Sequence, residues 1–520
     1  MSKLVIVGLD AGSFNIIDAM TGEELPFLKG LIKNGVRAGL KSIYPAITPP
    51  AWTSLYTGVN PGKHGIFSFI EDTNTLVNST INKYPYFWDL LDKKMILVNL
   101  PVTYPPRPPK NGILITGYPT PSGTEYTYPH KVQQEIETLG YIPESQTSSD
   151  ISWMMQAAEN KVTVFSHLLG RYDWEIAFLG IQQTDWVGHC CKWKDVKRLY
   201  THIDRCILNA FDGKNYTYLF VSDHGLQEIS FVFYLNEWLR SEGFLDYDLA
   251  IDKEINQSLN NSIVSRLLMR YSISDFNGSA VPKSLHMECI KHLLPQSLKS
   301  FLIRNFLPKA KRIVNWGHTK AYPYSTSAWY ININLKGREK YGIVNKEDYE
   351  TIREGLIQKL RTLKNPYTRK NIFKEVLRKE EVFHGENTDS APDIIYVPAD
   401  EVGMRITCRG DGVCIKPKKT ASHSLCGIFI ACGEDIKRGV ELDSLKILDV
   451  APTVIHMMGG KVPRYMDGRV RLEIFEEGSD PYKRAVQYEE RSIGVPESRF
   501  QYTEEETKEI EKSLKDLGYL

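Results

Sequence analysis

The chain has 520 residues, with 64 Lys and Arg against 63 Asp and Glu, for a formal net charge of +1. So even a balance offers no long-range field for a nucleic acid or another polyanion, and 42% hydrophobic with 24% charged residues excludes a disordered or fibrous chain. The length is too great for one simple core and implies about two or three domains, or one large α/β domain carrying an insertion.

Taken in order, residues 3 to 9 (KLVIVGL) read as a strand buried on both faces that ends on Asp10. The run meets that acid too soon to be the core of an export signal. No later stretch approaches the roughly 18 apolar residues of a membrane-spanning helix. Strand-like runs recur at 95 to 100, 112 to 116, 174 to 180 and 216 to 221, the last two leading into Asp185 and His189 and into Ser222-Asp223-His224-Gly225. Helical patterns from Ile151 to Leu169 and from Trp193 to Ala210 alternate with them. This alternation predicts an α/β fold, a mostly parallel central sheet with helices on both faces. Ligands of such sheets bind beyond the carboxyl ends of the strands, so Asp10, Asp185 and Asp223 are expected on one edge.

The first part of this core spans residues 1–235. Over 236–390 the alternation breaks down, which predicts a large insertion forming a cap. Within it, Lys299, Arg304, Lys309, Lys311 and Arg312 stand among Phe301, Leu302, Ile303, Phe306 and Leu307; this is either a solvated amphipathic helix or a surface for a lipid-like or anionic substrate. A strand at 328 to 335 and a helix at 346 to 363 follow. The second part of the core, 391–475, holds strands at 393 to 398 and 427 to 432, with His423 just before the latter, and a helix over 441 to 458 stopped by Gly459-Gly460. The tail, 476–520, ends in a capping box, Thr503-x-x-Glu506, with Ile510, Leu514 and Leu517 on one stripe. That pattern predicts a helix packed on the surface. The eight cysteines form no C-x-x-C pair, which predicts reduced thiols in a cytoplasmic protein.

The stretch from Tyr44 to Ile66, YPAITPPAWTSLYTGVNPGKHGI, centres on the hydroxyl of Thr48. Locally Thr48 reads as a helix N-cap, with two prolines where a missing N–H does no harm and Gly58 as the stop. A helix N-terminus is also an anion site, so the same hydroxyl could attack a phosphate if something took its proton. Asp10, Asp185, His189, Asp223, His224 and His423 are the candidates. Carboxylates and imidazoles without thiolate favour zinc, with manganese or iron as alternatives, and so many ligands suit two ions. Metal coordination of Thr48 would lower the pKa of its hydroxyl.

The motifs then combine: LDA at 9 to 11, T-x-P-x-x-x-S-x-x-T-G from Thr48 to Gly58, P-x-x-HGI from Pro61, D-x-x-x-H from Asp185, SDHG at 222 to 225 and the late His423. With NLPVTYPP from Asn99, GRE at 337, APD at 391, DVAPT at 449 and MDGR at 466, the chain resembles the alkaline phosphatase superfamily. Within it the likeness is to the type I phosphodiesterase and nucleotide pyrophosphatase branch, and to its prokaryotic predicted phosphohydrolases or phosphomutases.

The resemblance implies a hydrolase of phosphodiester or pyrophosphate bonds acting on a small phosphate ester, nucleotide-linked or lipid-linked. It implies two divalent ions, one held by Asp185, His189 and His423, the other by Asp10, Asp223, His224 and Thr48, and a phosphothreonine intermediate on Thr48. The same site would serve a phosphomonoesterase or phosphomutase, and a degenerate relative would only bind. Where the branch places an Asn downstream of the nucleophile, this chain reads Ser68-Phe69, so Ser68, Lys63 or a cap residue would hold the phosphoryl oxygen. Thr48-Pro-Pro-Ala lacks the Cys or Ser and the Arg of sulfatase relatives.

Overall fold

The computed structural model describes residues 3–71, 75–143, 147–250, 311–323, 329–406, 414–415, 421–494, 499–517 and 519. They fall into two compact units: Met1–Trp238, Pro323–Ile333 and Glu347–Leu520 make the larger, Leu239–Tyr322 and Asn334–Lys346 the smaller. Residues 347–390, expected in the insertion, thus group with the larger unit.

The larger unit is built on a nine-stranded sheet in the order Val440–Lys446, Val36–Lys41, Cys426–Cys432, Thr217–Val221, Leu4–Leu9, Ile176–Ile181, Met95–Leu100, Gly112–Thr116, Thr127–Tyr128. Seven strands run one way; Cys426–Cys432 and Thr127–Tyr128 run against them. The central strands are apolar throughout because both faces are covered. Leu4 and Ile6 face one layer with Trp52, Phe178 and Val454, while Val5, Val7 and Leu9 face the other with Phe165, Leu199 and Ile203.

Three sequence expectations are corrected. Residues 440–446 are not the start of a helix but an edge strand parallel to Val36–Lys41; its polar alternation suits a half-exposed edge, and the helix begins only at Val450, after Asp449. Val36–Lys41 was not anticipated, its Arg37, Gly39 and Lys41 breaking the apolar run. Ile394–Pro398 does not rejoin the central sheet but pairs antiparallel with Tyr330–Ile333 and Phe373–Arg378.

In the smaller unit Tyr247–Ala250 pairs antiparallel with Lys311–Val314. Asn334 donates to the carbonyls of Thr319 (2.8 Å) and Tyr341 (3.0 Å), and Glu339 of the GRE motif accepts the Tyr322 hydroxyl at 2.7 Å. The predicted basic and apolar pattern at 299–310 lies outside the described residues. No helix among the described residues is long and apolar enough to cross a membrane.

Candidate active site

Thr217–Val221, Leu4–Leu9 and Ile176–Ile181 are neighbours in the sheet, so the acids that follow them stand side by side. Asp10 comes directly after its strand and Asp223 one residue after its own, and Asp185 lies in the first turn of the helix Gln183–Cys190; all three are at most 1% exposed. His189 is one turn further along that helix, its Nε2 3.1 Å from Asp185 Oδ2. His423 arrives on a two-stranded antiparallel ladder, Ala421–Ser424 against Gly225–Glu228. Its ring stacks on His224 with centroids 4.0 Å apart, and its Nε2 is 2.9 Å from His189 Nε2 and 3.2 Å from Asp185 Oδ1.

The potential ligand atoms of Asp10, Asp223 and His224 lie within 4.8 Å of one another, as do those of Asp185, His224 and His423. His224 is common to both groups; His189, which the resemblance sets beside Asp185 and His423, has its Nε2 3.1 Å from Asp185 Oδ2 and 2.9 Å from His423 Nε2. Both outer histidines have a set tautomer. His224 Nδ1–H donates to Gly225 O (3.2 Å) and His423 Nδ1–H to Ala46 O (3.1 Å), which turns each Nε2 lone pair inward.

The cluster is electrostatically incomplete. Asp10 Oδ1, Asp185 Oδ1, Asp223 Oδ2 and His224 Nε2 are buried without a hydrogen-bond partner, where buried polar atoms are normally satisfied. Burial and the neighbouring Asp223 and Asp185 hold Asp10 well above the usual carboxylate range. Burial, with Asp185 adding, pushes Asp223 up to about 7. Asp185 goes the other way: burial is outweighed by His189 and His423, which hold it well below. Burial and His423 depress His224. For His423 burial is overcome by Asp185, which raises it. Acceptors that face one another with no donor between them are what a divalent cation would satisfy, so the residues fit the metal their chemistry implies.

Thr48 opens the helix Thr48–Thr57, but the cap position is Ile47 and no side chain caps the helix. The expected N-cap bond is missing for a simple reason. Pro50 has no N–H to offer, and the Ala51 N–H bonds Ile47 O at 3.2 Å. Thr48 Oγ1 is left buried and without a partner, in a residue 2% exposed. Because the prolines also remove amides from this helix end, little but the dipole remains there for an anion, and cations must carry most of the charge.

Three features missed from the sequence hold this helix. Trp52 Nε1 donates to Asp10 Oδ2 at 3.0 Å, leaving Asp10 Oδ1 free; Gly8 makes room for the indole, since a Cβ there would lie 2.4 Å from it. His64 Nδ1 accepts the Ile66 N–H (3.1 Å), so its Nε2–H donates to Ser54 Oγ (3.0 Å). Asp467 of the MDGR motif accepts from Asn60 N–H (2.8 Å) and from Lys63 Nζ (2.5 Å). Lys63 makes a second bond to Tyr465 O at 2.8 Å, so two of the three N–H donors of its ammonium are engaged within the protein. Ser68 differs: it is buried and its Oγ has no partner. A signal for Trp52 existed in the sequence, since it stands one helical turn after Thr48.

Residues 4–408 match the family described as type I phosphodiesterase / nucleotide pyrophosphatase. The chain belongs to this family. The match contains Thr48 and every candidate ligand except His423. Membership makes the protein a hydrolase of phosphoric ester or anhydride bonds in the alkaline phosphatase superfamily. No curated protein matches it in sequence. Among solved structures, phosphonoacetate hydrolase from Sinorhizobium meliloti 1021 in complex with phosphonoacetate has a TM-score of 0.53 at 15% identity, over 86% of this chain and 94% of that one. Murine ectonucleotide pyrophosphatase / phosphodiesterase 5 gives 0.49 at 12% identity, over 91% and 100%. The former likeness is one of fold, the α/β architecture with its large, mostly parallel sheet.

Proposed function

We propose that this family member cleaves a phosphodiester or pyrophosphate bond through a phosphothreonine intermediate on Thr48. The observation that carries the reading is the unpartnered, buried Thr48 Oγ1, at the start of a helix whose Trp52 bonds Asp10 and two residues after Ala46, whose carbonyl bonds His423. Asp185, His189 and His423 would hold one divalent ion, and Asp10, Asp223 and His224, with Thr48, the other. Zinc suits the donor set best, with manganese or iron as alternatives. Two such ions supply the positive charge that lowers the hydroxyl pKa and balances the phosphoryl oxygens.

The protein's own part is positioning. Trp52 keeps Asp10 Oδ1 available, and the fixed tautomers of His224 and His423 present their Nε2 atoms. Ser68 Oγ–H donates to a phosphoryl oxygen. Thr48 Oγ1 gives up its proton to water and attacks phosphorus while the bond to the leaving oxygen breaks, and that oxygen takes a proton from water, so that none is gained or lost overall. Water then attacks the phosphothreonine, the Oγ1–P bond breaks, and the hydroxyl is restored.

The test is turnover of bis-p-nitrophenyl phosphate against p-nitrophenyl phosphate by the metal-loaded protein and by Thr48→Ala. Diester preference, with at least about a 10³-fold loss in the variant, is expected. Monoester preference would move the function to a phosphatase or phosphomutase; unchanged turnover in Thr48→Ala would overturn the nucleophile.

A further inference from the structure

The segment after the last long helix enters the ligand cluster. Helix Glu504–Leu517 starts from the expected capping box, Thr503 N–H to Glu506 Oε2 at 2.7 Å and Glu506 N–H to Thr503 Oγ1 at 3.2 Å. As its pattern predicted, the helix packs on the surface by one apolar stripe, its charged face outward. Its Ile510, Leu514 and Leu517 are buried in the same apolar layer as Trp186 and Val187, which follow Asp185 on its helix. The chain then turns back, with Tyr519 N–H bonding Leu514 O at 2.8 Å, and buries Tyr519 to 1% exposure.

Tyr519 touches two candidate ligands of the same ion. Its phenol O–H donates to Asp185 Oδ2. Its ring stands edge-on to His189 with centroids 4.8 Å apart, backed by Phe69 at 5.0 Å. With Oδ2 engaged in this way, Asp185 Oδ1 is the oxygen left without a hydrogen-bond partner, 3.2 Å from His423 Nε2.

We propose that Tyr519 is a positioning residue for one metal half-site: it turns Asp185 so that Oδ1 is the coordinating oxygen and holds the His189 ring beside it. The inference rests on the two-ion reading above. A donor behind a coordinating carboxylate fixes its orientation and basicity, and losing such a partner typically costs about 10- to 100-fold in metal affinity. A neutral phenol does this without bringing a second positive charge near the ion. The terminal helix, anchored in the apolar layer, thereby sets how tightly the Asp185 half-site holds its metal.

The alternative is that Tyr519 only fills the core, in which case its ring matters and its hydroxyl does not. Tyr519→Phe separates the two, since it keeps the ring on Phe69 and His189 and removes one hydroxyl. The measurement is zinc affinity of the full chain by competition with a fluorescent chelator, with the Tm of the metal-free protein as the control for folding. The expected result is about 10-fold or greater weakening of one of two zinc ions, the other unchanged, with a metal-free Tm close to that of the parent. Tyr519→Ala, checked in the same way, should weaken that ion further. Two ions held with parental affinity in Tyr519→Phe, whether or not Tyr519→Ala weakens one, would overturn the inference while leaving the two-ion reading intact. A parent protein that binds no zinc or manganese would overturn both.

Discussion

Two groups of metal-ligating side chains stand in this molecule, and they differ in one respect that matters. At the sheet edge Asp10, Asp185, Asp223, His224 and His423 are buried, and Asp10 Oδ1, Asp185 Oδ1, Asp223 Oδ2 and His224 Nε2 lack hydrogen-bond partners. On the pair of long helices Ile151–Arg171 and Trp193–Phe211, Glu159, His202 and Cys206 also place three ligand atoms within 4.8 Å. There His202 Nε2 already meets Glu159 Oε2 at 3.2 Å, the Glu159 side chain is 58% exposed, and burial pushes the Cys206 thiol up to about 11. The residue types are equally suitable in both places. Unsatisfied buried atoms with carbonyl-fixed tautomers mark the first as built for a cation, whereas the second is a solvated ion pair of small worth.

The largest effect that could break this contrast is at His224, which belongs to both buried groups. His224→Ala should strip tight binding of the ion it holds with Asp10 and Asp223 and weaken the one beside Asp185 and His423, read as metal per chain after dialysis against a weak chelator. Retention of two ions would mean that the groups are independent of the residue they share.

His64 sharpens the contrast from within the core, because it is buried but fully partnered. Burial lowers it to about 3, against about 6.5 for an unfolded chain. Between those values the unfolded state binds a proton that the folded state refuses. Its contribution to stability is therefore complete above about pH 6.5 and is lost as pH falls towards 3, by at most about 1.4 kcal/mol per pH unit. Denaturant titrations of the metal-free protein should show a shallower loss across this window in His64→Gln than in the parent; parallel curves would exclude the effect.

The smallest expected effect is at the surface group. Cys206→Ser should leave bound metal and diester turnover within about twofold of the parent, as surface changes away from a site usually do. A loss of one ion per chain would make this half-buried trio a real site and erase the distinction.

Much of this arrangement was legible in local pattern. Apolar runs ending on Asp10 and Asp223 could be read as buried strands because a parallel sheet covered on both faces leaves no alternation to obscure them. Asp185 and His189 share a helix face by spacing alone. The capping box at Thr503 was equally plain, being an interaction between residues three apart. Val36–Lys41 and Val440–Lys446 were hidden, since edge strands carry polar residues that mimic loops or helix faces. The free state of the Thr48 hydroxyl was half legible: the prolines that deny it a capping partner stand in the sequence, although the pattern reads first as a cap.

By itself, then, the sequence determined the strands that end in acids, the helix that spaces Asp185 from His189, and the family whose chemistry those residues serve. Only the tertiary structure decided that His224 faces both ligand groups, that Trp52 holds Asp10, that Lys63 bonds Asp467, and that Tyr519 reaches Asp185. Short-range features follow from backbone geometry and spacing, which a local pattern records. Contacts between residues hundreds of positions apart depend on how sheet order and layer packing fold the chain back on itself, and no local pattern carries that information.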